Sequence, residues 1–403
     1  MKYPDSNTHT GYRLYRHLLA RYPVYVLFAL LARLLNSQNS AASDALDDAS
    51  QSSHLVRYSL LMDLNKIGDR LLTVGERGHI LQSRDQGQSW QQQSSPVRVT
   101  LTASHFVDEQ QGWAVGHDGV VLRTLDGGQQ WSKLLDGHQI NRILLDHAKH
   151  RVAQIDQRVA QHSNKRANGT DTSSSFAAVS PEEALENAIF QLEDAEAFAE
   201  EGPSRPLLDV WFKNPMEGIV VGAFGLMLYT QDGGDSWFAD TGRLDNPDGF
   251  HLNSINQIGE QLFIAAEAGQ LYRSLDWGAS WQLLDSPYEG SFFGVVGSED
   301  GRIVAYGLRG HAFLSNDWGD HWQTIKTGVD TSLFGGSLLT DNSLILVGNG
   351  GIVLHISPDG HVLKTYHTHN RLPLSQVIPL DQSTLLTVGL AGAQPLALTG
   401  GEH

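Results

Sequence analysis

Five aspartates occur at the same place in an eight-residue pattern, Ser/Thr-x-Asp-x-Gly-x-x-Trp, that recurs along the chain. Carboxylates in such a pattern could bind a metal ion or a sugar. The alternative is a structural turn, in which the aspartate accepts backbone N–H groups, the glycine takes a positive φ angle and the tryptophan covers the hairpin. We favour the structural role, because function resides in sites added to a scaffold. The five pairs are Asp85 and Trp90, Asp126 and Trp131, Asp232 and Trp237, Asp276 and Trp281, and Asp317 and Trp322.

A His-x-His pair near the carboxyl end is the other candidate for metal chemistry. His367 and His369 would place two imidazoles on one side of an extended segment, as a zinc site needs, but the sequence offers no identifiable third ligand. The chain has no cysteine, which excludes disulfides and thiolate metal sites. It also contains no Ser-His-Asp, phosphate-loop or zinc motif. We therefore predict no catalytic residue, no metal and no cofactor.

A second repeated pattern, a Gly-x-x-Gly step or a close variant of it, precedes each box. Its final glycine recurs at intervals of 41 or 44 residues, with one longer interval of 106, at Gly78, Gly119, Gly225, Gly269, Gly310, Gly351 and Gly392. Short alternating runs with turn signals predict four strands in each unit, at 102–107, 112–116, 119–124 and 131–135 in the second. Four strands in about 40 residues make one propeller blade. The sequence thus predicts an all-β fold, a seven-bladed β-propeller over residues 54–403, closed by pairing of residues 54–61 with the last blade.

The second and third repeats are separated by 65 additional residues, for which we predict an α-helical hairpin over residues 139–203. Two apolar stripes have helical spacing, Ser180 and the residues after it form a helix start, and a polar linker over 163–175 joins the helices. The first helix is basic and the second has acidic residues only, which favours an antiparallel pair. The hairpin is either a docking arm or a decoration that packs on one blade.

Propeller topology assigns the turns to two faces. The box turns share one face, whereas the Gly-x-x-Gly turns, the connections between blades and the hairpin share the opposite one. Loops on a rigid scaffold are the usual place for function, and this mixed polar rim resembles a protein-binding face more than a reaction pocket. The predicted partner-binding rim consists of Glu76, Arg77, His117, Asp118, Phe224, Arg243, Tyr288, Arg309, His369 and Arg371.

The amino terminus has the basic, apolar and then small and polar order of an export signal. We predict a signal peptide over residues 1–42, with cleavage after Ala42. An uncleaved N-terminal anchor is the alternative, with residues 22–35 as a membrane tether, although the apolar run is short for a spanning helix. The expected location is periplasmic. The net charge of −17 argues against a nucleic-acid surface.

The box resembles the Asp-box, or BNR repeat, of sialidase-like propellers. This resemblance implies a sialidase-like glycoside hydrolase or a glycan-binding propeller as one possible function. Sialidases of this fold need an arginine cluster for the substrate carboxylate, with a Tyr–Glu pair and an acidic proton donor. Arg77 and Arg309 fall on different blades, and the Arg-Ile-Pro motif before the first box is absent. We therefore do not expect an enzyme.

The repeats, with the form VGxxGxhhxSxDGGxxW behind an export signal, are similar to the photosystem II stability/assembly factor family. The similarity covers Val56 to the carboxyl end apart from the hairpin. It implies a non-catalytic chaperone for the assembly of a membrane complex, and a line of arginines in one region of the propeller. Arg84, Arg123 and Arg273 occupy similar positions, but other residues interrupt the row. We expect a partner that is an integral membrane protein or a subunit of an envelope complex.

Overall fold

Seven antiparallel sheets, each with its strands in sequence order, form the β-structure of the chain. The computed structural model describes residues 44–167 and 180–398, apart from the side chains of 163–167. The predicted signal peptide or anchor, the tether at 22–35, the greater part of the linker and residues 399–403 lie outside the described residues. The predicted seven-bladed β-propeller with an inserted helical hairpin is confirmed.

The first three blades contain eleven strands. Blade 1 has β1 (Leu61–Ile67), β2 (Arg70–Gly75), β3 (Ile80–Ser83) and β4 (Gln91–Gln93). Blade 2 has β5 (Leu101–Phe106), β6 (Gly112–Gly116), β7 (Val121–Thr124) and β8 (Ser132–Leu135). Blade 3 has β9 (Leu207–Phe212), β10 (Gly218–Gly222) and β11 (Met227–Thr230), and an isolated bridge between Tyr229 and Phe238 takes the place of its outer strand.

The last four blades contain fifteen strands. Blade 4 has β12 (Leu252–Ile258), β13 (Gln261–Ala266), β14 (Leu271–Ser274) and β15 (Gln282–Leu283). Blade 5 has β16 (Phe292–Gly297), β17 (Ile303–Gly307), β18 (Ala312–Ser315) and β19 (Gln323–Ile325). Blade 6 has β20 (Leu333–Leu338), β21 (Leu344–Gly348), β22 (Ile352–Ile356) and β23 (Val362–His367). Blade 7 has β24 (Leu374–Pro379), β25 (Thr384–Gly389) and β26 (Gln394–Ala397).

The hydrophobic core lies between the blades. The first strand of each blade contacts the first strand of the next, and β24 contacts β1, so the first strands form a closed inner ring. Second strands such as β6 and β10 are buried along their whole length, because a neighbouring blade covers each face. Across one such junction, the ring of Trp113 stacks on that of Phe212 with centroids 3.5 Å apart. Burying side chains of this size stabilises the fold by about 1.5–3 kcal/mol each.

The ring closes without the predicted strand pairing. Blade 7 consists of β24, β25 and β26, and none of the described residues in 54–61 adds a strand to it. The N-terminal segment, residues 45–60, instead crosses the junction, with Leu46 buried beside blades 1 and 2 and Val56 buried against blade 7. The predicted pairing of residues 54–61 with blade 7 was wrong. The carbonyl oxygen of Arg57 lies so close to Gly392, in the turn of blade 7, that a Cβ on this glycine would be 1.9 Å from it. The segment therefore passes over the turn of blade 7 rather than along its outer edge.

Two helices connect blade 2 to blade 3. They are α1 (Gly137–Ala167) and α2 (Pro181–Glu201), so the first helix continues into the predicted linker. The hydroxyl of Ser180 accepts the N–H of Glu183 at 3.1 Å and begins α2 as expected. In the part of the chain that the structure describes, neither helix is long and apolar enough to cross a membrane.

Candidate partner-binding face

Each complete box uses its aspartate within its own turn. In blade 2, the hydroxyl of Thr124 donates to Asp126 at 2.9 Å and accepts the N–H of Gly128 at 2.8 Å. Asp126 also accepts the N–H of Gln130 at 2.9 Å, and the indole of Trp131 donates to the carbonyl of Gly128 at 3.0 Å. The other four boxes repeat the bond from the first hydroxyl to the aspartate. The turn thus binds its own aspartate, whereas the indole bond occurs at Trp131 and Trp237.

The charge state of the box aspartates fits this role. The hydroxyl and the backbone N–H of Ser89 lower the pKa of Asp85 to about 2. The side chain and the backbone N–H of His321 do the same for Asp317, whose pKa is also about 2. Donors that favour the ionised form keep these carboxylates charged. Among the described residues, no group of three His, Asp or Glu side chains could hold a metal ion.

Two of the arginines that precede boxes contact the next blade. Arg123 in β7 pairs with Asp235 in the box of blade 3 at 3.0 Å. Arg273 in β14 pairs with Asp320 in the box of blade 5 at 2.9 Å, and its side chain is only 10% exposed. Arg84 in blade 1 is exposed. The row of arginines that the family resemblance suggested is therefore largely committed to contacts between blades.

The Gly-x-x-Gly turns lie on the opposite face, and five of the seven form a short 3-10 turn in which the residue before the final glycine has a positive φ. The φ angles are 57° for Arg77, 56° for Asp118, 57° for Phe224 and 56° for Arg309. This left-handed conformation is uncommon for residues with a Cβ. It is followed by a glycine that must be small, since a Cβ on Gly78 would lie 2.0 Å from the carbonyl oxygen of Val97. Each of these turns thus holds the residue before its final glycine, such as Arg77 or Arg309, at the rim.

The predicted rim residues divide into exposed and intramolecularly paired groups. Glu76 is partly buried and accepts the backbone N–H of Leu60 at 3.1 Å. Asp118 is partly buried beside the start of α1, where its carbonyl lies close to Gly137. The exposed side chains are those of Arg77, His117, Phe224, Arg309, His369 and Arg371.

Arg243 and Tyr288, two of the predicted rim residues, are partly buried and contact other side chains of the same molecule. The guanidinium of Arg243 lies 4.2 Å from the ring centroid of Tyr229 and pairs with Asp240 at 2.9 Å. The ring of Tyr288 stacks on His311 at 4.3 Å and packs against residues of blade 5. Both belong to loops whose packing the sequence pattern did not reveal.

The base of the hairpin is fixed to the propeller. Ile140 in α1 is fully buried in the core between blades 2 and 3. The amide of Asn141 donates to the carbonyls of Phe198 and Gly202 at 2.9 and 2.8 Å, which ties the end of α2 to the beginning of α1. The base of the hairpin is therefore held rigidly against blades 2 and 3.

Aromatic and cationic side chains stack at the turn of blade 3 and support the end of α2. The ring of Phe224 lies 5.5 Å from Phe198 on one side and 4.9 Å from His251 on the other. The guanidinium of Arg205 lies 3.4 Å from the centroid of Phe198, and burial lowers its pKa to about 10. His251 in turn pairs with Glu267 at 2.9 Å. Phe224, which the sequence assigned to a partner, thus supports the hairpin, although nearly half of its surface remains exposed.

Four exposed apolar residues of this face were missed by the sequence reading. Leu55 and Tyr58 lie in the N-terminal segment, Leu372 in the connection between blades 6 and 7, and Leu390 in the turn of blade 7. A large apolar residue in a turn whose other residues are glycine and alanine is the signal that could have identified Leu390. The others became recognisable only when the structure placed them beside that turn.

A family model and a curated protein each match part of this chain. The family model described as "Photosynthesis system II assembly factor YCF48" matches residues 43–142 and 201–286. The photosystem II assembly lipoprotein Ycf48 of Synechococcus sp. (strain CC9902) is 36% identical over 77 residues, which are 19% of this chain and 23% of that protein. The chain thus spans less than a quarter of this curated relative in the alignment.

Solved structures share the fold at low sequence identity. The structure of YCF48 bound to D1 peptide has 15% identity and a TM-score of 0.55, covering 88% of this chain and 97% of that one. YCF48 from Cyanidioschyzon merolae has 13% identity and a TM-score of 0.53, covering 86% and 97%. The WD40 propeller domain of Doa1 has 9% identity and a TM-score of 0.55, covering 88% and 96%. The predicted resemblance of this chain to the photosystem II assembly factor family is therefore confirmed, and most of α1 and α2 lies between the two matched segments.

Proposed function

We propose that this chain is a non-enzymatic, exported propeller that binds a membrane protein, as an assembly or stability factor or as an accessory subunit of an envelope complex. The observation that carries the proposal is the family match, which ends at residue 142 and resumes at residue 201. The chain therefore keeps the repeats of an assembly-factor propeller and adds a hairpin between two of its blades. One relative has been solved with a D1 peptide, which makes D1 the first partner to test.

The partner-binding surface is proposed to be the Gly-x-x-Gly face together with the hairpin. The box face offers few charged groups to a partner, because its aspartates and two of its arginines form hydrogen bonds or ion pairs within or between blades. The opposite face exposes Arg77, Arg309 and Arg371 and carries the hairpin. Such charged groups on a fixed rim set the orientation and the association rate of a partner.

The hairpin is proposed to be a docking arm rather than a decoration. Its base is rigid, and α1 also reaches the loop after blade 3, where Arg151 donates to the hydroxyl of Thr241. Farther along α2, Ile189 and Phe190 are 42% and 60% exposed. Acidic residues surround these apolar side chains, and α2 has no basic residue. A rigid helix that presents apolar anchors with a charged border has the composition of an interface.

The test is recovery of partners from membranes with the tagged full chain, followed by binding to a synthetic D1 peptide. Phe190→Glu and Arg77→Glu should each reduce the recovered membrane protein at least tenfold. Arg84→Glu is the matched control, since it reverses the charge of an exposed arginine on the box face and should leave recovery unchanged. Binding of D1 peptide would extend the role of the relative to this chain. A different membrane protein would support the assembly role with another partner, and recovery of soluble glycans alone would contradict the proposal.

The exported location is proposed from residues 1–42 and is tested separately. The protein should be found in the periplasmic or membrane fraction after cell fractionation. Sequencing its amino terminus should give a chain that begins after Ala42 when the signal is cleaved, or the intact leader when it is kept as an anchor. Accumulation of the full chain in the cytoplasm would contradict export.

A further inference from the structure

One arc of the Gly-x-x-Gly face is continuous from blade 6 to blade 1. The loop around Arg371 lies against the turn of blade 6, where a Cβ on Gly351 would meet the Cα of Arg371 at 3.0 Å. The next part of this loop bonds to blade 7 through Leu390 N–H and the carbonyl of Pro373 at 3.0 Å. The backbone of Arg57 abuts the end of that turn at Gly392. These contacts join two loops and two blades into one surface.

The arc continues to the turn of blade 1. The N–H of Glu76 donates to the carbonyl of Leu60 at 3.0 Å, and its carboxylate accepts the N–H of Leu60 at 3.1 Å. The basic arc is defined here as three arginines and the four apolar residues between them. Its members are Arg57, Arg77, Arg371, Leu55, Tyr58, Leu372 and Leu390.

The charge of this arc is opposite to that of the protein. The whole chain has a net charge of −17, but Glu76 is the single acidic residue in segments 53–60, 76–78, 367–373 and 389–393. Its carboxylate is bonded to the backbone, whereas Arg77 and Arg371 are exposed. The arc is thus a local cationic surface on an anionic molecule.

The apolar residues of the arc stand between its cations. Leu55 is 58% exposed, Tyr58 55%, Leu390 46% and Leu372 37%. The guanidinium of Arg57 lies 4.5 Å from the ring centroid of Tyr58, so a cation and an aromatic ring are presented together. Basic residues interspersed with leucine and an aromatic ring are the composition of surfaces that enter the headgroup region of a membrane.

The hairpin lies on the same face, beside one end of the arc. It rises from blades 2 and 3, the two blades that follow blade 1 in the ring, and blade 1 carries Arg77. Its second helix contains eight acidic residues and no basic one. The first helix is basic, so the acidic side of the hairpin is α2. An anionic surface would attract the arc and repel α2, which favours an approach with blades 6, 7 and 1 toward the surface and α2 turned away from it.

We propose that the basic arc binds the surface of an anionic lipid bilayer. The three arginines contact lipid phosphates, while Leu55, Tyr58 and Leu390 enter the headgroup layer. This contact shares Arg77 and Arg371 with the partner-binding surface proposed above, and it leaves α2 of the hairpin free to bind a membrane protein. Each arginine near an anionic bilayer strengthens binding by roughly fivefold.

The test uses the absence of native cysteine to place one environment-sensitive fluorophore in the full chain. Leu390→Cys, labelled with a nitrobenzoxadiazole dye, reports on the arc, and Leu275→Cys is the matched control, an exposed leucine in the box of blade 4. Vesicles of phosphatidylglycerol and phosphatidylcholine should blue-shift the dye at position 390 and not at 275. Vesicles of phosphatidylcholine alone should give at most a weak shift. Attachment through the leader alone does not produce this local signal.

Charge variants give the quantitative arm of the experiment. In the labelled protein, Arg57→Gln, Arg77→Gln and Arg371→Gln combined should weaken the response to anionic vesicles by about a hundredfold, and Arg84→Gln should leave it unchanged. Equal responses at positions 390 and 275, or no effect of the triple variant, would overturn the proposal. A dye that is silent with vesicles but responds to a detergent-solubilised membrane protein would overturn it in favour of a protein surface.

Discussion

Asp209 provides a direct test of how burial at the inner ring affects stability. It lies in β9, where its carboxylate accepts the N–H of Ile255 from blade 4 at 2.8 Å and that of Val210 at 2.8 Å. Burial raises its pKa to about 7, and the charge of Asp63 acts in the same direction. We predict that Asp209→Asn stabilises the protein strongly at pH 8 and much less at pH 4.5.

The direction follows from proton binding. In the unfolded chain the carboxyl of Asp209 ionises near pH 3.8, whereas in the folded protein it does so near pH 7. Between these values the folded state holds more protons, so the free energy of unfolding decreases as the pH rises. At about 1.4 kcal/mol for each pKa unit, the penalty reaches about 4 kcal/mol above pH 7, and solvent at the partly exposed side chain reduces it. Asparagine removes the charge and with it the penalty.

The measurement is urea unfolding at pH 4.5, 6 and 8, followed by fluorescence of the nine tryptophans. The gain of Asp209→Asn over the unsubstituted protein should grow with pH. Asp232→Asn is the control of opposite sign, because hydrogen bonds from Ser236 lower the pKa of Asp232. That variant should be less stable at neutral pH and approach the unsubstituted protein as the pH falls below 4. The reasoning is refuted if Asp209→Asn shifts the midpoint equally at pH 4.5 and pH 8.

Three further substitutions test the scaffold and the arm. Arg123→Met removes the pair with Asp235 and should lower the free energy of unfolding by about 1–2 kcal/mol, whereas Arg84→Met should change the melting temperature little; equal losses would contradict a contact between blades. Trp131→Ala should cost about 3–5 kcal/mol in urea unfolding, and a cost below 1 kcal/mol would show that the box ring is not needed. Asn141→Ala frees the end of α2, so limited proteolysis should cut the hairpin faster while tryptophan fluorescence is unchanged, and an unaltered cleavage rate would refute this role.

The blades could be predicted because their determinants are local. Within eight residues, Thr124, Asp126 and Gly128 form most of the hydrogen bonds of a box, so the same pattern gives the same turn wherever it recurs. The start of α2 was predictable for the same reason, since Ser180 caps a helix through a residue three positions later. Local hydrogen bonding is what a sequence pattern records directly.

The closure of the ring and the true surface of the rim depend on distant contacts. Val56 packs against Leu386 and Val388, which are more than 300 residues away in the sequence. Whether Arg243 faces a partner or lies over Tyr229 is decided by how a loop folds back on its blade. A periodic pattern contains neither piece of information, because both depend on how loops pack rather than on the strands.

The division of the two faces limits where this chain can bind a partner. Arg123 and Arg273 neutralise carboxylates of the following boxes, so recruiting them to a partner would break contacts between blades. The opposite face has no such commitment at Arg77 or Arg371, and it carries both the acidic helix α2 and the basic arc. Charges attract over about 8 Å at physiological ionic strength, so added salt screens the arginines of the arc. A salt titration should therefore weaken vesicle binding through the arc steeply, while contacts made by Phe190 on the hairpin, being apolar, should persist.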